Sequence, residues 1–241
     1  MELVTKIEAM RLLAEGWRKE GRRIGLVPTM GFLHEGHRSL IDRAVAGNDR
    51  VVVSVFVNPI QFGPAEDLDA YPRDLERDRV VCARAGAAAV FSPEVSAMYP
   101  PDFRSHVDMA ELTETLCGAK RPGHFRGVLT VVTKLFSIVQ PHRAYFGRKD
   151  AQQLAVVSRL VRDLNLPVAI VACPLIREPD GLAISSRNVY LSPEERLAAL
   201  CLSRAVAAGR DRLTAGETRA GAVRAEMLAV IAREPLAGVD Y

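Results

Sequence analysis

The chain has no run of about 18 apolar residues, so it contains no segment suited to cross a bilayer as a helix. Its N-terminus, Met1 to Glu20, mixes charges at helical spacing and lacks the unbroken apolar stretch of a secretion signal. An excess of one charge is also lacking. Lys and Arg total 32 against 29 Asp and Glu, a formal net charge of +3, too small to argue for a nucleic-acid partner. Only four cysteines occur, at Cys82, Cys117, Cys173 and Cys201, none at metal-ligand spacing and none as C-x-x-C. That disfavours a disulfide framework or a zinc site and fits small buried hydrophobes in a reducing compartment. There is no internal repeat and no low-complexity linker. Neither G-x-G-x-x-G nor G-x-x-x-x-G-K-[ST] is found, which disfavours classical dinucleotide binding and P-loop chemistry. The expectation is a soluble, cytoplasmic, globular protein with no membrane or nucleic-acid partner. Its 241 residues give room for one large domain or two small ones, at about 100–200 residues each.

What is present is an alternation of strand and helix patterns. Ile7, Met10, Leu13 and Trp17 fall on one face of an amphipathic helix. Arg23 to Val27 reads as a buried strand ended by Pro28, and Val51 to Val57 as a second strand, apolar almost throughout. Continuous apolar strands are the mark of a parallel sheet covered on both faces. Helix patterns follow at about 36–46, 72–85, 128–139 and 151–164, with strands near 88–91, 143–146 and 168–173. The order predicts an α/β, doubly wound parallel sheet over residues 1–175. From Ile176 the character changes. Ser192-Pro-Glu-Glu195 is a capping box with Pro at the first helical position, opening a helix of about 20 residues. A second helix is expected near 219–233, and Val239 to Tyr241 reads as the opening of a strand. Residues 176–241 are therefore expected to form a second, smaller C-terminal domain, incomplete as it stands.

The chemistry concentrates in Pro28-Thr-Met-Gly-Phe-Leu-His-Glu-Gly-His37, at the end of the first strand pattern and the start of a helix. Helix N-termini attract phosphate through free N–H groups and the dipole. Gly31 and Gly36 let backbone approach a bulky anion, and His34 and His37, three apart, share a helical face. Two imidazoles there suit charge that grows as pyrophosphate leaves. This H-x-G-H pattern resembles the HIGH-type nucleotidyl transferases, which pair it with a basic, serine-containing loop. Ile184-Ser-Ser-Arg187 fits that loop, with two hydroxyls and a guanidinium for phosphate oxygens.

Further stretches narrow the resemblance: Asn58-Pro-Ile-Gln-Phe62, Asp69-Ala-Tyr-Pro-Arg73, Arg121-Pro-Gly-His-Phe-Arg-Gly127, Phe146-Gly-Arg-Lys-Asp150 with Gln152 and Gln153, and Arg177 to Asn188. In this order they resemble the pantothenate synthetases, the pantoate–β-alanine ligases, across nearly the whole chain. The resemblance implies a Rossmann-like fold and an ATP-dependent ligation of pantoate and β-alanine through a pantoyl adenylate, releasing AMP and pyrophosphate. It also implies Mg²⁺ and a homodimer.

Carried over by position, the resemblance gives catalytic roles to His34, His37, Lys149, Ser185, Ser186 and Arg187. ATP binding falls to Met30, Gly31, Phe32, Leu33, His34, Glu35, Gly36 and His37, to Gly147, Arg148, Lys149 and Asp150, and to Ile176, Ile184, Ser185, Ser186 and Arg187. Gln61 and Gln153 resemble the pair that holds pantoate, with Met30 and Phe62 as an apolar wall. Neutral amides beside a carboxylate avoid an ion pair that would blunt it as a nucleophile. Asp78 resembles an acid that helps hold Mg²⁺. Asp150 is expected to cap its helix, and Arg121 and His124 to lie in a loop that reaches phosphates or adenylate. Arg148 stands where many relatives carry Glu or another polar residue, and Phe32 is bulkier than the usual residue. Other readings remain open at this level: a different HIGH-type adenylyltransferase, against which the Gln61/Gln153 pair argues, and an ATP-binding sensor module, against which the intact His34, His37, Lys149 and Arg187 argue. A class I tRNA synthetase would lack room for an anticodon domain.

Overall fold

The computed structural model describes residues 1–64 and 66–241, which divide into two units, Met1–Leu175 and Ile176–Tyr241. The first unit runs β1 (Glu2–Val4), α1 (Ile7–Lys19), β2 (Ile24–Thr29), α2 (Glu35–Gly47), β3 (Arg50–Val55), α3 (Leu75–Arg84), β4 (Ala89–Phe91), α4 (Val95–Met98), α5 (Cys117–Lys120), α6 (His124–Val139), β5 (Arg143–Gly147), α7 (Ala151–Asp163) and β6 (Ala169–Cys173). All strand pairs are parallel and the sheet order is β1-β4-β3-β2-β5-β6. The chain lays β2, β3 and β4 outward in one direction, then returns to place β5 and β6 on the other side of β2. A doubly wound sheet reverses at such a point, and the crevice beyond the strand ends there is where ligands bind. Here that point lies between β2 and β5.

Side-chain alternation builds both faces. Leu26, Val52, Phe91 and Ala144 point to a core shared with α1, α6 and α7, while Val27, Val51, Val53, Val90 and Tyr145 point to one shared with α2 and α3. A slip of one residue would exchange the two sets, so the apolar run fixes register only together with the helices that cover it. α1 contributes Met10, Ala14 and Trp17, one helical stripe.

Two readings of the strands need correction. The first strand does not stop before Pro28. Pro28 pairs in register with Ser54, and the strand continues to Thr29. Phe56 N–H donates to Thr29 O, so Thr29 faces β3 and, by alternation, the Pro28 nitrogen faces the other way. Pairing with β5 has already ended at Leu26 on that side, so the missing N–H costs no ladder bond. The N-terminus also holds a three-residue strand, β1, on the sheet edge beside β4, too short to show any periodicity in sequence.

In the second unit, Arg177 and Ala183 form an antiparallel bridge, followed by a 3₁₀ turn at Ser186–Tyr190, α8 (Pro193–Ala198), α9 (Leu200–Thr214) and α10 (Ala220–Ile231). The capping box forms as expected. Glu195 N–H donates to Ser192 Oγ at 3.2 Å and Ser192 N–H to Glu195 Oε2 at 2.8 Å. The helix of about 20 residues forms as α8 and α9 in direct succession, with one irregular residue at Ala199, whose backbone stays helical (φ −59°, ψ −19°) and whose N–H still donates to Glu195 O. Gly209 on α9 lets α10 approach closely, since a Cβ there would lie 2.7 Å from Met227 Sδ. Val239 to Tyr241 has no strand partner among the described residues and is irregular.

Candidate active site

The segment after β2 is shaped by three constraints. Thr29, buried, donates its hydroxyl to Ser54 O at 2.7 Å and accepts Gly31 N–H at 3.2 Å. Gly31 turns the chain at φ +86°, and a Cβ there would meet Asp78 Oδ2 at 2.9 Å and Val55 Cγ1 at 3.0 Å, so only glycine fits. Asp78, on α3 and 1% exposed, then takes the N–H of Phe32 on Oδ2 at 2.8 Å and of Leu33 on Oδ1 at 2.7 Å. Burial raises the Asp78 carboxyl above the usual carboxylate range, against the pull of those two amides. Arg77 stacks on the Phe32 ring at 4.7 Å. Together these groups aim the chain into α2. Neither the buried side chain nor the N–H of Leu33 is open to a ligand.

His34 occupies the N-cap of α2 and His37 its third helical position. They cap the helix reciprocally: Gly36 N–H donates to His34 Nδ1 at 3.1 Å, and His34 N–H to His37 Nδ1 at 3.4 Å. A Cβ on Gly36 would lie 2.9 Å from His34 Cε1, so the glycine makes room for the ring. The two rings stand 4.0 Å apart between centroids. Burial lowers His34 to about 4, with the Lys149 ammonium adding to the effect, and lowers His37 to about 3, with His34 and Lys149 adding. Both imidazoles are therefore neutral at pH 7. With Nδ1 accepting in each, the proton sits on Nε2, and each ring offers one fixed N–H donor.

Lys149 comes from the other side of the reversal. β5 ends at Gly147, and a 3₁₀ turn over Arg148–Asp150 leads into α7. Lys149 is near enough to bear electrostatically on both histidines. Asp150 sits at the N-cap of α7, but its side chain caps nothing. It lies 3.6 Å from Lys149 Nζ instead, a correction to the expected helix cap. Gln153 lies on the first turn of α7, partly exposed. Its neighbour Gln152 is spent structurally, accepting Cys117 N–H and donating to Leu112 O and Thr115 O.

Gln61, buried in the 3₁₀ turn Pro59–Gln61, donates Nε2 to Met30 Sδ at 3.2 Å, which brings one amide and part of the expected apolar wall together beside the β2 loop. Phe62 packs edge-on against Tyr71 at 6.0 Å. His124 is not a loop residue. It opens α6, is 9% exposed, and places Nδ1 2.9 Å from Gln61 O. Its Nε2 faces Arg121, a guanidinium that can only donate, so Nδ1 carries the proton toward Gln61 O. Arg121 forks onto both oxygens of Glu66 and lines a surface cavity of about 780 Å³ built from residues 108–126. These two residues support the Gln61 turn. Asn58, Tyr99 and Arg77 escaped the sequence reading. Only Asn58 left a signal, as the first residue of Asn58-Pro-Ile-Gln-Phe62.

In the second unit, Ser185 caps the 3₁₀ turn by accepting Arg187 N–H at 3.3 Å, Ser186 is buried and Arg187 is exposed. Ile184 N–H bonds Ile176 O at 3.2 Å, closing a loop whose turn at Glu178–Asp180 is gripped by Arg196. As for Mg²⁺, no group of three or more His, Cys, Asp or Glu is placed to hold a metal ion among the described residues. Both oxygens of Asp78 already serve backbone amides. The side chains of the described residues do not fit a dedicated metal cage.

The sheet reversal thus carries two neutral histidine donors with a lysine nearby, and the amide of Gln61 lies beside the β2 loop. The sequence model described as pantoate-beta-alanine ligase matches residues 2–241. The chain belongs to the pantoate–β-alanine ligase family. The chain is 57% identical over all 241 residues to the pantothenate synthetase of Clostridium acetobutylicum, covering 86% of that protein. It is 61% identical to that of a Roseiflexus species over 90% of the chain and 78% of the relative. Among solved structures, pantothenate synthetase from Thermus thermophilus superposes with a TM-score of 0.94 at 48% identity, over 100% of this chain and 86% of that one. The pantoate-beta-alanine ligase of Francisella tularensis, complexed with beta-gamma ATP and beta-alanine, gives a TM-score of 0.82 at 33% identity over 95% and 86%. These ligases share the Rossmann-like nucleotidyl transferase fold of the six-stranded sheet.

Proposed function

We propose that the chain joins pantoate to β-alanine at the expense of ATP in two half-reactions. The pantoate carboxylate attacks the α-phosphorus of ATP, pyrophosphate leaves, and the pantoyl adenylate forms. The β-alanine amine then attacks the acyl carbon and AMP departs with the bond pair. The observation that carries this reading is the pair of neutral imidazoles with Nδ1 tied to backbone N–H, which leaves Nε2–H as the donor of each ring, near Lys149 at the sheet reversal. Neutral donors stabilise charge as it grows on departing pyrophosphate without first needing a proton, and a fixed donor of this kind contributes about 3–4 kcal/mol. Lys149 bridges the phosphates as a point charge. Gln61 and Gln153 hold pantoate against Met30 and Phe62 through neutral amides, so its carboxylate is hydrogen-bonded without an ion pair. Ser185, Ser186 and Arg187 offer two hydroxyls and a guanidinium to nucleotide phosphate oxygens. Asp78 shapes the β2 loop, and a magnesium ion arriving with ATP would draw its ligands from phosphate oxygens and water rather than from Asp78. The active form is a cytoplasmic homodimer, which light scattering on the purified chain tests directly.

The discriminating assay is exchange of labelled pyrophosphate into ATP. Exchange appears with pantoate and not with free amino acids. Equal exchange with methionine or isoleucine moves the chain toward synthetase chemistry. Lys149→Ala loses exchange, yet converts supplied pantoyl adenylate and β-alanine to pantothenate. Equal loss of both steps removes the charge-stabilising role.

A further inference from the structure

The Gln61 amide ends a buried polar chain whose sense is set by an atom that can only accept. Asn58 is 1% exposed. Its Nδ2 donates to Gly127 O at 3.1 Å and to Gln61 Oε1 at 2.9 Å, and its Oδ1 accepts the Tyr99 hydroxyl at 2.8 Å. The two ends of a carboxamide have nearly the same shape, so geometry alone permits either orientation. The Gly127 carbonyl has no proton to give. Turning Asn58 over would set two acceptors against each other in a site without water access, a cost of buried polar groups left unpaired. The Tyr99 hydroxyl, able to donate or accept, follows the choice and completes it. Both Asn58 N–H groups are then used, one of them on Gln61 Oε1. The Gln61 nitrogen is left facing away, toward the weak thioether acceptor of Met30.

The backbone of Gln61 cannot rotate to compensate. His124 holds its carbonyl, and α6 lies so close that a Cβ on Gly127 would be 2.6 Å from Gln61 Cα. An unlocked glutamine would accept an acid or its amide by turning over. This one presents N–H only.

We propose that Asn58, oriented by the Gly127 carbonyl, is a positioning residue that locks Gln61 as a donor, so that the site selects the acceptor-only carboxylate of its acid substrate over the corresponding primary amide. The proposal rests on Gln61 binding pantoate. Calorimetric titration of the full chain with pantoate and with pantoamide, its primary amide, reads the preference as a ratio of dissociation constants. The wild-type protein prefers pantoate by at least about tenfold, since a site built around fixed hydrogen bonds rejects an analogue of the wrong sense. Asn58→Leu, uncharged and close in size, frees Gln61 to turn, and the ratio shrinks at least about fivefold. Should Asn58→Leu fail to fold, Asn58→Ser is read in the same way, because one hydroxyl cannot hold both Gly127 O and Gln61. Tyr99→Phe leaves Gly127 in control and keeps the wild-type ratio. A ratio that stays constant when Asn58 is replaced, with both ligands weakened alike, overturns the lock. A ratio that moves in Tyr99→Phe overturns the assignment of control to Gly127. Gln61→Met separates the two levels: if it binds pantoate as the wild type does, the pantoate role of Gln61 fails, whatever the Asn58 result.

Discussion

Gly36→Ala separates the shape of the histidine pair from the stability of the fold. An added Cβ would stand 2.9 Å from His34 Cε1 and 3.0 Å from Nδ1, closer than real Cβ atoms approach, so the ring must move by about half an ångström or swing away. Moving it breaks the bond from Gly36 N–H to His34 Nδ1, an N-cap worth about 1 kcal/mol. The same substitution removes backbone freedom from the unfolded chain and gains about 0.4–1 kcal/mol. The two terms nearly cancel, so the melting temperature shifts by no more than about 3 °C for a chain of this size. Activity does not share the cancellation. Displacing a positioned donor costs on the order of 10²-fold in pyrophosphate exchange, and the tautomer loses the backbone bond that fixed it. Gly16→Ala, on α1 with nothing within 4 Å of the new methyl, is the control. It raises stability by about 0.5–1 kcal/mol and leaves exchange unchanged. The measurements are thermal unfolding and isotope exchange on the same three preparations. Normal exchange by Gly36→Ala would refute the reasoning, because the position of the His34 ring would then be irrelevant.

Three further outcomes are expected. Asp78→Asn turns one acceptor into a donor against the Phe32 or Leu33 N–H; loss of a charged hydrogen bond, partly offset by the buried charge removed, destabilises by about 1–2 kcal/mol, read from the urea midpoint, and a gain in stability would contradict the anchoring role. His34 and His37 titrate below their unfolded value of about 6.5, so the unfolded chain binds more protons as pH falls and stability declines from pH 6.5 toward their folded values of about 4 and 3. At pH 5 the loss reaches up to about 2 kcal/mol for each, and His34→Asn, which retains a cap, flattens the curve. Gly221→Ala, in open space on α10, raises stability by about 0.5–1 kcal/mol in thermal unfolding, whereas Gly209→Ala drives a methyl against Met227 between α9 and α10 and loses that gain to the repacking of the Met side chain.

The sequence by itself determined the class of fold and the order of its parts. Val51 to Val53 are apolar in succession because β3 is covered on both faces, and that pattern cannot arise in a half-exposed sheet. The same holds for helix starts, since a Ser-Pro-Glu-Glu sequence carries its capping bonds within four residues. Wherever partners lie far apart in the chain, only tertiary structure decided. Pro28 stays inside β2 because the ladder to β5 ends at Leu26 while that to β3 runs on to Thr29, a difference between two distant partners that no local pattern holds. Asp78 reads as one more charge on a polar helix until the fold carries the β2 loop across its carboxylate, 45 and 46 residues away in sequence. The histidine pair was legible as a motif. Its tautomers and depressed pKa values came from burial, from mutual capping and from Lys149, brought in from the far side of the sheet reversal. The sense of the Gln61 amide is likewise tertiary: it depends on a carbonyl on α6, whose direction is set only when that helix packs backbone to backbone against the Pro59–Gln61 turn.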